Sequence, residues 1–267
     1  MNLPDLHGNL PEENVIFYIA ADESYFNLYG KILINSIKVH FNYSIHFHLY
    51  NPSDDTKKYL KNRGITYSFE YFDEKSVEHA FKIYKSIGPD WEFTRRRSKM
   101  LKSGENLEKL KKELVRTYYA CSRFVRLHQI LTKPTYILML DTDSIVRKPF
   151  YLLNDGYDIF IYEKTHKKHV SYTQHLASTI FYTGSDDSLK LIKDHAQLIL
   201  EEFENNTFYW FLDQETLDLA IQKYKKMPLS KSYVDFDMEN DSYIWCAKGP
   251  SKNFDIWVQE SKKYQSV

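Results

Sequence analysis

The sequence predicts an α/β fold, a central sheet flanked by helices in a single domain. Three observations predict it. Apolar runs of strand length recur along the chain, amphipathic stretches with helical spacing alternate with them, and one apolar run stops abruptly at Asp141-Thr142-Asp143. At 267 residues, with no internal repeat and no low-complexity linker, the chain can bury a substantial core as one unit.

Residues 1–14 read as an N-terminal extension, without the basic-then-apolar pattern of a signal peptide. Residues 15–21 (VIFYIAA) form a continuous apolar strand, followed by Asp22. Tyr25, Leu28, Ile32, Ile34 and Ile37 recur near helical spacing over 25–40. A second strand over 45–50 closes at Asn51-Pro52, a short polar helix spans 56–62, and a third strand spans 65–71. Strand, helix, strand, helix, strand at this spacing predicts a parallel βαβαβ half. Residues 72–104, broken by Gly88-Pro89 and carrying Arg95-Arg96-Arg97, read as a solvated loop or as a lid facing an acceptor. A long helix follows over 107–131, with Leu107, Leu110, Leu114, Tyr118, Cys121 and Val125 on one stripe and Arg116, Arg123 and Arg126 off it. Pro134 ends that pattern, and residues 135–140 form a strand buried on both faces that runs into the acids. Beyond them come strands over 158–162 and 177–182, helices over 187–205 and 213–225, a break at Pro228, and extended pieces over 232–236 and 242–247.

The totals exclude several classes. Lys+Arg 36 balances Asp+Glu 36, which argues against a nucleic-acid binder. Two cysteines, Cys121 and Cys246, make no disulfide framework and fit a reducing compartment, hence a cytoplasmic location. No apolar run approaches the roughly 20 residues of a membrane-spanning helix, which leaves peripheral association with a membrane open.

Two acids at positions i and i+2 of an extended backbone lie on one side of it. Asp141 and Asp143 can therefore share a divalent cation, Mn2+ or Mg2+, since hard metals take oxygen ligands. The carboxyl end of a central strand is also where open α/β sheets bind ligands. The alternative is structural: Asp141 closing the strand and Asp143 sitting in a turn.

Four segments, in order, extend this reading: VIFYIAADESYF, TYYACSRFVRLHQILTKPTYILMLDTDSIV, LDQETLDLA and CAKGPSK. Together they resemble glycosyltransferases of the GT-A fold, most closely the retaining glycogenin and lipopolysaccharide-galactosyltransferase type. The resemblance implies a Rossmann-like central mixed sheet, with a nucleotide-binding half over about 15–146 and an acceptor half over about 147–267. It implies metal-dependent transfer of a hexose from a nucleotide-sugar, a UDP-sugar, to a carbohydrate or lipid-linked acceptor with retention. Asp141 and Asp143 would hold the metal. Ala21, Asp22 and Tyr25 would line the base pocket. Arg123, with Arg116 as a second candidate, and the loop of Lys248, Gly249 and Lys252 would face the diphosphate, and Asp213 and Gln214 the donor sugar. Capping offers a structural alternative for Asp22 and Asp213.

The chain departs from that family at Cys246, where a histidine usually completes the metal site, and at Lys252-Asn253-Phe254. A thiolate matches Mg2+ or Mn2+ poorly, and a buried inert thiol is the alternative. Two other functions use the same features. One is a non-catalytic carbohydrate- or nucleotide-binding protein of the same fold. The other is a haloacid-dehalogenase-like phosphatase with a DxD nucleophile and Asp186-Asp187 as a late acidic pair. Against the latter, the acids here follow a complete βαβαβ half.

Overall fold

The structure, a computed structural model, describes residues 3–78, 107–152, 155–164, 173–205 and 209–265. The Arg95-Arg96-Arg97 run and most of the 72–104 segment lie outside them. The chain runs β1 (Val15–Asp22), α1 (Lys31–His40), β2 (Ser44–Tyr50), α2 (Asp54–Asn62), β3 (Thr66–Glu70), α3 (Leu107–Ile130), β4 (Tyr136–Asp141) and β5 (Ser144–Val146). It continues with β6 (Ile159–Glu163), β7 (His175–Tyr182), α4 (Asp186–Glu204), α5 (Leu212–Ala220), β8 (Lys226–Pro228), β9 (Val234–Asp235), β10 (Ile244–Cys246) and α6 (Asp255–Lys262).

Seven strands form a mixed sheet in the order β3-β2-β1-β4-β7-β6-β8. The first four are parallel, as the βαβαβ pattern requires, while β7 enters antiparallel to β4 and β6 antiparallel to β7. Because β1 and β4 run side by side, with Ala20 opposite Asp141, their carboxyl ends open at the same edge. A second sheet, β5-β10-β9, sits beside that edge. Pro228, read from the sequence as a break, ends the edge strand β8, a position where a missing N–H costs no ladder bond. The expected 213–225 helix stops at Ala220 and tightens into a 3₁₀ turn over Ile221–Lys223.

Alternation along the strands sorts the core into two layers. From β1, Ile16 and Tyr18 join Ile137 and Met139 of β4 under α3, α4 and α5. Phe17, Ile19 and Ala21 join Leu138 and Leu140 on the face covered by α1. The expected 25–40 helix is interrupted by a π turn over Phe26–Gly30. Gly30 is required there, since a Cβ would come within 2.6 Å of the Phe26 ring.

The α3 stripe of Leu114, Tyr118, Cys121 and Val125 is buried as expected. Arg123 and Arg126, off that stripe, are buried as well, being only 9% and 2% exposed. The helix is sandwiched between the sheet and α4, so its flanks are interior as well. Arg126 pairs with Glu70 at the end of β3 and donates to the Pro4 carbonyl at 2.7 Å, fastening the segment ahead of β1. That segment also caps the sheet edge, His7 and Phe69 exchanging backbone hydrogen bonds of 2.9 and 2.8 Å. Glu70 accepts a further bond from Tyr118 at 2.7 Å, and burial drives His46, in the same layer, down to about 3, keeping it neutral.

Removing one member of a buried ion pair strands the other without water. Arg126→Met is therefore expected to lower unfolding free energy by about 3 kcal/mol. Urea denaturation checks this, and the double change with Glu70→Gln should recover a large part of the loss. A loss confined to the range of ordinary surface substitutions would refute the pairing.

Candidate functional site

The site forms where β1 and β4 end. The Thr142 hydroxyl donates to the Ala20 carbonyl at 2.8 Å, so the turn after β4 is pinned to β1 and both acids project from a fixed frame. Asp141 lies on the α3 side, where Arg123 Nη1 donates to its Oδ1 at 2.5 Å. The same guanidinium reaches Asp213 Oδ2 at 3.4 Å and donates to the Ala177 carbonyl of β7 at 2.9 Å. One arginine from α3 thus ties together the ends of β4, β7 and α5. Asp213 lies in the first turn of α5, whose capping residue, Phe211, holds a left-handed backbone at φ +82°.

Asp143 is bound from the opposite side. Tyr25 donates its hydroxyl to Asp143 Oδ2 at 2.8 Å, and Lys252 Nζ approaches the same oxygen at 2.5 Å. Lys252 reaches it from a 3₁₀ turn over Gly249–Asn253, which opens at Gly249 with φ +49° and is closed by Ser251 bonding back to Lys248. The ammonium also lies over the rings of Tyr25 and Tyr29, 4.6 and 5.2 Å from their centroids, where the ring faces attract it.

Among the described residues, Asp141, Asp143 and Cys246 form a metal-competent group, one ligand atom from each lying within 4.8 Å of the others. Cys246 comes to the acids because β10 pairs antiparallel with β5, which sets it opposite Ser144. Electrostatics in this group follow from burial. Desolvation and the charge of Asp141 push Asp143 well above the usual carboxylate range. Desolvation also raises Asp141, against the pull of Arg123. Asp213 is raised to about 6, chiefly by burial, with Arg123 opposing and Asp141 adding to the rise. Burial lowers Lys252 to about 8. Burial and the two acids hold the Cys246 thiol well above its ordinary value. Three carboxylates here share one guanidinium and one ammonium in direct ion pairs, with the Lys248 charge acting on Asp141 from farther off.

The remaining sequence candidates sit around this cluster. Gln214 Oε1 accepts from Lys164 Nζ at 3.3 Å and Thr173 Oγ1 at 3.2 Å. Asp22 accepts from the Tyr25 backbone N–H at 2.8 Å, the capping arrangement offered as its alternative, and burial raises its pKa. Ala21 turns its methyl into the apolar layer beneath α1 and pairs with Leu49 in the β1–β2 ladder. Lys248 lies 3.6 Å from the Phe236 ring centroid, close enough for its charge to act on Asp141. Arg116 is exposed about two turns before Arg123, where its charge acts on Asp22. Asp186 and Asp187 open α4 after β7, at the opposite end of the sheet from Asp141, since Tyr182 pairs with Ile137. The phosphatase reading loses its second acidic pair there.

Sequence reasoning missed Tyr29, Lys164 and Thr173. Tyr29 sits one turn after Tyr25, a spacing that could have been noticed. Lys164 and Thr173 carry no local signal.

No protein-family model and no curated protein matches the sequence. Solved structures do. The chain superposes on the glycosyltransferase GlyE of Streptococcus pneumoniae TIGR4 with TM-score 0.54 and 14% identity, over 93% of this chain and 61% of that one. It therefore spans less than two thirds of GlyE. It superposes on the galactosyltransferase LgtC, solved with donor and acceptor sugar analogs, with TM-score 0.54 and 10% identity, over 95% of this chain and 97% of that one. An active-site mutant of LgtC gives TM-score 0.55 at 10% identity over the same shares. At such identities the likeness is one of architecture: the chain has the GT-A fold of these glycosyltransferases.

Proposed function

We propose that the protein is a metal-dependent glycosyltransferase that moves a hexose from a nucleotide-sugar, a UDP-sugar, to a carbohydrate or lipid-linked acceptor, with retention. The observation that carries this reading is the convergence of Asp141, Asp143, Arg123, Asp213, Lys252 and Tyr25 at the carboxyl ends of β1 and β4. The fold shared with GlyE and LgtC supports it, LgtC having been solved with donor and acceptor sugar analogs.

In this reading residues 15–146 carry the nucleotide and residues 147–267 the acceptor, with Asp213, Lys248 and Lys252 reaching across from the second half. Asp141 and Asp143 hold Mn2+ or Mg2+, and their placement with Cys246 fits a cation. A bound divalent cation supplies Lewis-acid neutralisation of the departing diphosphate. The chain's own residues do the rest. Lys252, poised on Asp143, swings with its turn to the phosphate oxygens. Gly249 gives that turn its left-handed start. Lys248 adds a second charge at the loop's root, and Arg116 supplies one from an exposed position on α3. Arg123 keeps Asp141 and Asp213 apart in charge and fixed in direction. Asp213 and Gln214 face the sugar hydroxyls and the positive charge developing at the anomeric carbon. Ala21, Asp22 and Tyr25 edge the base. No helix among the described residues is long and apolar enough to cross a membrane, and both cysteines are unpaired, in keeping with a cytoplasmic enzyme that meets lipid-linked acceptors peripherally.

Thermal stabilisation tests the reading directly. UDP with Mn2+ is expected to raise the melting temperature, and a UDP-sugar is expected to be turned over. Stabilisation without turnover would favour a binding protein of the same fold, and indifference to every nucleoside diphosphate would remove the proposal. Asp143→Ala is expected to abolish metal-dependent nucleotide binding and keep the native circular dichroism. Unchanged binding would take Asp143 out of the site.

A third expectation concerns protons. Folded Asp213 holds its proton to about pH 6, against 3.8 for the free side chain. Between these values the native state binds the extra proton, so rising pH withdraws stability. Asp213→Asn lacks that loss and is expected to gain stability relative to the parent between pH 4 and 7, by up to about 1.4 kcal/mol for each unit of pKa difference. Urea midpoints that run parallel for the two proteins would show an unperturbed Asp213.

A further inference from the structure

We infer that Cys246 is the third protein ligand of the cation held by Asp141 and Asp143, and that this makes the site bind thiophilic divalent ions, Co2+ and Zn2+, more tightly than the Mn2+ or Mg2+ that it also accepts in the proposed reaction. The inference rests on the reading of the two acids as a metal pair.

Position is the first argument. Cys246 is 1% exposed and ends β10, where ladder pairing with Ser144 and a bond from the Ala247 N–H to the Asp143 carbonyl at 3.3 Å fix it against the acids. Its sulfur belongs to the same group of ligand atoms, all within 4.8 Å of one another. All three ligands are held at strand ends or in a pinned turn, so a cation meets a preformed set rather than gathering mobile side chains. The second argument is the neighbouring hydroxyl. Ser144 is 1% exposed, its side-chain oxygen is buried with no hydrogen-bond partner of normal geometry, and it lies against the Cys246 thiol. A hydroxyl beside a sulfur is suited to donate to a thiolate, the form that ligates metal.

Two hard oxygens and one soft sulfur on a four-coordinate ion suit Co2+ and Zn2+. Mg2+ wants six oxygens, and Mn2+ stands low in the affinity order for mixed donors. Binding breaks the S–H bond as the sulfur–metal bond forms, and the proton leaves to the buffer. At Asp143 the incoming ion takes the place of the Lys252 ammonium, freeing that side chain.

Cobalt titration of the whole chain tests this without reference to transfer activity. Co2+ is expected to produce a sulfur-to-cobalt charge-transfer band in the near ultraviolet and to bind at least about tenfold more tightly than Mn2+ in competition dialysis. The band should vanish in Cys246→Ser and persist in Cys121→Ala. Cys246→Ser should also reduce the preference for Co2+ over Mn2+ toward unity. Cobalt bound without the band, or equal affinity for Mn2+ and Co2+ in the unaltered protein, would overturn the inference, and neither measurement depends on a variant folding. If neither ion binds, the metal reading of Asp141 and Asp143 falls with it. If Mn2+ binds as tightly as Co2+ and supports nucleotide binding, the proposed function stands and only the role of Cys246 is lost.

Discussion

One buried guanidinium holds this molecule's site together. Arg123 presents a planar fork to Asp141 and Asp213 and to the Ala177 carbonyl, so α3, β4, β7 and α5 meet through a single group. Arginine suits the position because it stays charged when desolvated and its donors are fixed in direction. The half-buried Asp141 and the buried Asp213 would otherwise repel each other and take up protons. The arginine lets them coexist, and the Tyr18 hydroxyl holds its backbone from below, donating to the Arg123 carbonyl at 2.9 Å. A second cation, on Lys252, plays the matching role for Asp143 from a surface turn. The two anchors differ in kind. Arg123 belongs to the core, whereas Lys252 rides on a short 3₁₀ turn at the surface.

The parallel strands bring Asp22, Asp141 and the acids' turn to one edge, and the antiparallel entry of β7 brings α5 back across it. The small β5-β10-β9 sheet then carries Cys246 and the Lys252 turn over the same opening. Charge and topology therefore agree. The groups proposed to bind phosphate and metal arrive at the carboxyl edge, and the opposite edge holds ordinary first-turn helix acids, Asp186 and Asp187.

Away from that edge, polar groups serve packing. Glu70, Arg126, Tyr118 and the neutral His46 fill the layer between the sheet and α3, and their bonds reach the segment ahead of β1. Such a network is stable only while all its members are satisfied. It also sits under the helix that carries Arg123, so the core polar groups and the site share one support.

Much of this was legible in the residues alone. Strand-length apolar runs and helical stripes marked the first half correctly, because period-2 and period-3.6 burial leave direct traces in a chain. The DTD turn was legible as two acids closing an apolar strand, a pattern that leaves both a shared cation and a plain turn open. Other features left no such trace. The burial of Arg123 and Arg126 depends on α4 closing over the far side of α3, a contact between segments distant in the chain. The antiparallel turn of β7, the pairing of Lys164 and Thr173 with Gln214, and the placement of Cys246 beside Asp141 and Asp143 depend likewise on long-range register. Local sequence determined which elements form and where the acids end a strand, since propensity and periodicity act over a few residues. Tertiary structure alone decided which charges meet, because a guanidinium and a carboxylate from separate elements pair only when packing has already removed the water between them.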